Sequence, residues 1–151
     1  MLVGTVAVGP LVGLLLALLA PMAGKLVLGF LAGKRRATFD GQLGDTLQLL
    51  SSTLRAGYSM MQGVEAVSQE AAEPMGKELR RVVTEARLGR PLEESLDAVA
   101  ERMESADFGW AVMAIRIQRE VGGNLAELLL TVAETMTERE RLRRDVNSLT
   151  A

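Results

Sequence analysis

The chain has 151 residues, 17 Lys plus Arg against 19 Asp plus Glu, and neither His nor Cys. That length allows one compact domain but not two, and the missing side chains exclude thiol and imidazole catalysis, a zinc site of the usual ligands, and a disulfide framework. A net charge of −2 with only five aromatic residues also argues against a nucleic-acid partner, which calls for a basic field and stacking platforms.

From Leu2 to Gly24 there is no charged residue, and after Lys25 the apolar run resumes through Phe30 and Leu31 until Lys34, Arg35 and Arg36 close it. About 20 apolar residues span a bilayer as a helix, so residues 1–36 are expected to be a transmembrane segment with a basic flank. The stretch exceeds the thickness of the hydrocarbon core and must tilt, kink or split, with Pro10 and Pro21 as the places to do so and a turn near Ala20-Pro21 as the way to split. A cleaved secretory signal would carry its positive charge before the apolar region, not after it. By the positive-inside rule the Lys34-Arg35-Arg36 cluster stays in the cytoplasm, and with it everything from about residue 34 onward. Gly9-Pro-Leu-Val-Gly13 and Gly29-Phe-Leu-Ala-Gly33 present small-residue faces suited to packing another membrane helix.

From residue 37 onward apolar residues recur at i, i+4, i+7 and i+11, the stripe of an amphipathic helix. Leu43, Leu47, Leu50 and Leu54 form the first stripe; Met60, Val64, Val67 and Ala71 the second; Leu92, Leu96, Val99 and Met103 a third; and Leu125, Leu129, Val132 and Met136 the last. Two weaker helices lie between: one following Pro74 through Leu79, Val82, Val83 and Ala86, the other from about Asp107 through Val112 and Ile115 to Arg119. No stretch alternates as a strand does. The expected fold is therefore all-α: a transmembrane helix followed, over residues 37–151, by a cytoplasmic antiparallel bundle of about six helices.

The helix breaks resemble one another. Aligned on Gly57, Gly89 and Gly122, the segments Gly-Tyr-Ser-Met-Met-Gln, Gly-Arg-Pro-Leu-Glu-Glu and Gly-Gly-Asn-Leu-Ala-Glu superpose, at spacings of 32 and 33 residues. Each glycine can take the left-handed conformation that ends a helix, so a helical hairpin is repeated. Ser59 with Gln62 and Asn124 with Glu127 read as capping boxes, and Pro91 restarts the second unit. A β-branched residue at Gly122 or Gly123 would resist positive φ.

Charge is segregated along the chain. Residues 25–36 carry +4, residues 40–138 carry 9 basic against 17 acidic side chains, and residues 139–145 carry +2. The last cluster, Arg139, Arg141, Arg143 and Arg144, suits either an anionic leaflet or a solvated helix C-terminus. No phosphate loop is present, because Gly76-Lys77 lacks the flanking residues of a Walker motif. Glu93-Glu94 reads as solvated surface. Glu120 is set apart by standing at a helix end that disfavours an acid; it reads by default as a surface carboxylate, or as one compensated by a specific partner. No nucleophile, base and oxyanion donor are brought together, so no catalytic, cofactor or metal site is expected.

Together, Leu-Gln-Leu-Leu-Ser-Ser-Thr-Leu-Arg-Ala-Gly at 47–57, Gln62-Gly-Val-Glu-Ala-Val67, Arg87-Leu-Gly-Arg-Pro-Leu-Glu-Glu-Ser-Leu96 and Glu120-Val-Gly-Gly-Asn-Leu125 resemble the type II secretion system F-domain family. The likeness is to its Tad (Flp) pilus assembly branch, the TadB-like proteins, over about residues 35–151. It implies a non-enzymatic inner-membrane platform protein whose cytoplasmic helices meet a secretion ATPase, a second platform subunit and pilin, and which self-associates as a homo-oligomer. Members of that family continue through further membrane segments, so a longer natural protein is expected. The motif positions Arg55, Ala56, Gly57, Glu120, Gly122, Gly123 and Asn124 are candidates for a partner interface or for structural turns. A different reading of the same features is a membrane-tethered helical adaptor or signalling module; a carboxylate hydrolase would need two acids converging in a pocket.

Overall fold

The computed structural model describes the backbone of residues 4–150 and the side chains of residues 24–150. All elements among them are helices: α1 (Gly4–Arg55), α2 (Met60–Glu70), α3 (Met75–Arg87), α4 (Leu92–Met103), α5 (Ala106–Val121) and α6 (Leu125–Thr150). The chain divides into two units, Met1–Arg35 and Arg36–Ala151.

The stretch expected as a transmembrane helix and the expected first bundle helix are one helix, α1, and the expected bundle of about six helices consists, among the described residues, of the C-terminal part of α1 with α2–α6. Lys34, Arg35, Arg36 and Ala37 are good helix formers with no capping residue among them, and nothing there stops the helix. Nor does α1 divide into two halves near Ala20-Pro21. Among the described residues no helix is long and apolar enough to cross a membrane. The stretch from Leu2 to residue 23 that carried that expectation, Gly9 and Gly13 included, lies outside the residues whose side chains are described. In the first unit Leu26, Val27, Leu28, Phe30 and Leu31 are exposed, and nothing stands within 4 Å of a Cβ built on Gly29 or Gly33.

In the second unit the apolar stripes turn inward. Phe39, Leu43, Leu47 and Leu50 of α1 meet Val64 and Val67 of α2, Leu79 and Val82 of α3, Leu96 and Val99 of α4, Val112 and Ile115 of α5, and Leu129 of α6 in one core. Phe39 packs on Phe108 with ring centroids 5.3 Å apart. The core encloses an apolar cavity of about 20 Å³, room for a water and not for a metabolite.

Polar contacts between helices report their directions. Ser51 donates to the Ala126 carbonyl at 2.6 Å, a Cβ on Gly44 would stand 2.5 Å from Thr137 Oγ1, and Gly41 faces Glu140, so α6 ascends as α1 descends. Arg87 pairs with Glu65 and Arg80 donates to the Ser68 carbonyl, which sets α3 antiparallel to α2. Arg119 with Glu93 and Arg116 with Asp97 do the same for α5 and α4.

Two turns of this unit have the helix-ending geometry in which the residue after a left-handed position bonds back five residues. Tyr58 N–H reaches the Thr53 carbonyl across Gly57, and Arg90 N–H reaches the Glu85 carbonyl across Gly89. A third of this kind, unforeseen, is built on Glu104, whose φ is 48°, with Ser105 N–H on the Ala100 carbonyl. Ser105 then caps α5 by accepting from Phe108 N–H and donates to Asp40, while Arg36 pairs with Glu104.

Most of these ion pairs are exposed, but Glu78 is buried and accepts from Arg102 Nε at 3.1 Å and Nη2 at 2.9 Å. Truncating Arg102 removes two charged hydrogen bonds from a buried carboxylate, whereas Arg116 and Asp97 are both well solvated. Arg102→Ala should therefore cost about 3 kcal/mol, and Arg116→Ala no more than about 1 kcal/mol, in urea unfolding of the full chain.

Glu85 gathers Arg81 at 2.9 Å, Arg90 at 2.8 Å and Arg102 at 3.9 Å. Its partial burial opposes ionisation, but the hydrogen bonds from Arg81 and Arg90 and the Arg102 charge outweigh it and hold the carboxyl below its ordinary value of 4.5. A lowered folded pKa gives stability that is complete above the ordinary value and is lost as pH falls through the folded one. Glu85→Gln should thus lower stability by about 1 kcal/mol at neutral pH, and melting curves of variant and parent should converge in acid below the lowered pKa.

Candidate functional site

Three hairpin turns lie at one end of the bundle. Ser51 on Ala126 joins the end of α1 to the start of α6, Arg119 on Glu93 joins the end of α5 to the start of α4, and Arg87 on Glu65 joins the end of α3 to the first half of α2. Gly57, Gly89 and Gly122 therefore share this end of the bundle. At the opposite end lie Arg36, Asp40 and Gln42 of α1, where Gln42 donates to the Glu73 carbonyl at 3.0 Å and accepts from Met75 N–H at 3.2 Å.

Every residue singled out from the sequence is exposed at the glycine end: Arg55, Ala56, Gly57, Glu120, Gly122, Gly123 and Asn124. Arg55 stands in the last turn of α1, where a cation is favoured; Glu120 stands in the last turn of α5, where an anion is not. Among the described residues neither has an ion-pair partner within this chain. The compensating group that Glu120 calls for is thus not supplied by the fold.

Ser59 and Gln62 form the full capping box, at 3.3 Å and 3.0 Å. Asn124 forms half of one. Its Oδ1 accepts from Glu127 N–H at 3.2 Å, but the Glu127 carboxylate accepts from the Asn124 amide and not from its backbone. Pro74 and Pro91 stand one residue earlier than a first helical position, as the flanking residues of α3 and α4.

Three residues at this end escaped the sequence reading. Tyr58, Leu88 and Val121, each next to a turn glycine, are 53%, 83% and 77% exposed. The signal was present in the residues beside each turn glycine, since turns ordinarily carry polar residues and each of these carries an apolar one, after Gly57 and before Gly89 and Gly122. The end of the bundle is a surface of three apolar side chains set among an unpaired cation and an unpaired anion. That composition suits another protein better than a small molecule. Among the described residues no cluster of acids could hold a metal.

The two adjacent glycines are not equivalent. Gly122 has φ +76°, while Gly123 is outside the left-handed region and a Cβ there would meet only the amide end of Gln118, which can swing away. The expectation of positive φ holds for Gly122 and not for Gly123. Gly122→Val should lower stability by about 1–2 kcal/mol, and Gly123→Ala by less than about 0.5 kcal/mol, in thermal unfolding of the full chain.

No curated protein and no solved structure matches this chain. The family model for type II secretion system (T2SS) protein F matches residues 46–151, a span that takes in the last ten residues of α1, helices α2–α6 and the three glycine turns. With more than two thirds of its length matched, the chain belongs to the type II secretion system protein F family.

Proposed function

We propose that the protein is a non-enzymatic inner-membrane platform component of a Tad (Flp) pilus or related type II secretion machine. It couples a cytoplasmic secretion ATPase to the assembly of pilin, alongside a second platform subunit. Family membership supports a platform of the secretion and pilus type. The motifs of residues 47–57, 87–96 and 120–125 support the Tad branch. The observation that carries the coupling step is the glycine end of the bundle, where Tyr58, Leu88 and Val121 are exposed beside the unpaired Arg55 and Glu120.

A platform of this kind needs no chemistry of its own. The ATPase supplies the work, and the bundle has to accept a displacement at one surface and pass it on without deforming. A core in which six helices contribute to a single apolar cluster, tied by cross-helix ion pairs, has that stiffness. Side chains anchored on rigid helix ends transmit a push with less loss than side chains on long loops, and the connections at this end are three or four residues long.

The test is binding between the full chain, reconstituted in lipid nanodiscs, and the secretion ATPase encoded in the same genome, with and without nucleotide. Saturable binding that weakens about tenfold in Leu88→Asp or Glu120→Arg, with helix content and melting unchanged, is the expected result. A folded, reconstituted chain that binds no such ATPase in any nucleotide state removes the coupling step and leaves a tethered adaptor as the better reading.

A further inference from the structure

α6 outruns the bundle that it closes. It buries Ala126, Leu129 and Ala133 in the core, and further along it Thr137 lies beside Gly44, Arg139 pairs with Asp107 and Glu140 lies beside Gly41. From Arg141 to Thr150 every residue is exposed, and over these ten residues the helix runs on for about 15 Å. Leu142, Val146 and Leu149 are 55%, 58% and 86% exposed and recur at i, i+4 and i+7, an apolar stripe on the projecting part. Arg139, Arg143 and Asn147 form a polar row beside it. These three with Leu142 and Val146 line an open hollow of about 470 Å³, and both charged groups in its lining are cationic.

We propose that the projecting part of α6 is an interfacial helix that docks on the anionic surface of a bilayer, with its stripe against acyl chains and Arg143 on lipid phosphate. Charge selects that occupant. Residues 141–150 carry three arginines and one aspartate. Arg139 is taken by Asp107 and Arg141 stands 3.9 Å from Glu138, but Arg143 and Arg144 have no ion-pair partner among the described residues. The helix dipole does not account for them. It acts within the last turn, and α6 has no basic residue there, because the helix continues past the cluster to Thr150. An apolar stripe edged by arginines is what a membrane-surface helix needs: the stripe enters the acyl boundary, while the arginine stems lie along it and keep their guanidinium groups at phosphate level. A second copy on the same face would set arginine near arginine, which disfavours it. Topology agrees. The inference rests on the membrane reading above, in which a chain leaving a bilayer enters the bundle at Arg36, and α6, antiparallel to α1, ends on that side.

The chain has no cysteine, so single cysteines carry a fluorescent dye to chosen positions without background. Full chain labelled at Phe30→Cys, Val146→Cys or Ser148→Cys is reconstituted in nanodiscs of phosphatidylcholine with or without phosphatidylglycerol. Quenching is then read from a spin-labelled lipid and from aqueous iodide. Ser148 stands on the side of α6 away from the stripe and serves as the control. With phosphatidylglycerol present, the Val146→Cys dye should be quenched by lipid and the Ser148→Cys dye by iodide. Arg143→Glu, or omission of phosphatidylglycerol, should lower the ratio of lipid-docked to free α6 by about fivefold, the worth of one arginine near an anionic surface, with helix content unchanged. A lipid-quenched Phe30→Cys with Val146→Cys no different from Ser148→Cys would overturn the proposal and leave the membrane reading standing. Phe30→Cys open to iodide would overturn both. Lipid quenching at Val146→Cys that ignores phosphatidylglycerol and Arg143→Glu, or a dye there shielded from both quenchers as a protein partner would leave it, would also overturn the proposal.

Discussion

The contact on which the bundle depends is the one between its first and last helices. Gly44 lets α1 approach α6 to the point where any side chain would strike Thr137, and two turns further on Ser51 donates to the Ala126 carbonyl. That carbonyl belongs to the first turn of α6, and a buried hydrogen bond to it counts for about 1 kcal/mol. Its larger consequence is register. With α1 held against α6, the hairpins between them have only one way to fit, and the three glycine turns fall at the same end. A slide of α6 by one turn would take the hydroxyl from its acceptor and bring Thr137 off the glycine, so the fold resists slippage where the apolar stripes alone would tolerate it.

How much of this was legible in the sequence depends on which force decided each feature. Burial follows period, and Leu43, Leu47, Leu50, Val64, Val67, Leu96, Val99 and Leu129 lie inside as their spacing required. Left-handed glycines follow from backbone sterics, and Gly57, Gly89 and Gly122 all have positive φ. What stayed hidden was non-local. The left-handed Glu104 carries no glycine to announce it, and the tie that accompanies it, Ser105 to Asp40, joins residues 65 apart in the chain. The run of α1 through Lys34, Arg35 and Arg36 was obscured for another reason: a cluster of charges reads as a boundary, although in helix propensity it is none.

The same distinction applies to the candidate site. The glycines were visible because the backbone needs them, whereas Tyr58, Leu88 and Val121 were not, because nothing inside this chain does. α5 repeats the point. Its inward residues Val112 and Ile115 fit one amphipathic stripe, and Trp110, Met113 and Ile117 fit a second one that a single bundle cannot bury. Residues that satisfy the period but exceed what the core can hold are the ones to read as facing another molecule.

Charge completes the separation. Arginines on the middle helices are neutralised across helix boundaries, with Arg87 on Glu65, Arg102 on Glu78, Arg116 on Asp97 and Arg119 on Glu93. The acidic excess of residues 40–138 is in this way partly consumed in holding the bundle together. Arg55 and Glu120 stand outside that scheme, at helix ends brought to one place by the α1–α6 contact. Had stability alone shaped the glycine end, Glu120 would be opposed by a cation of the chain, since the dipole of α5 already disfavours it. An unpaired acid kept at that position costs the fold a little, and under the proposed coupling role it is a partner that would bring the missing cation.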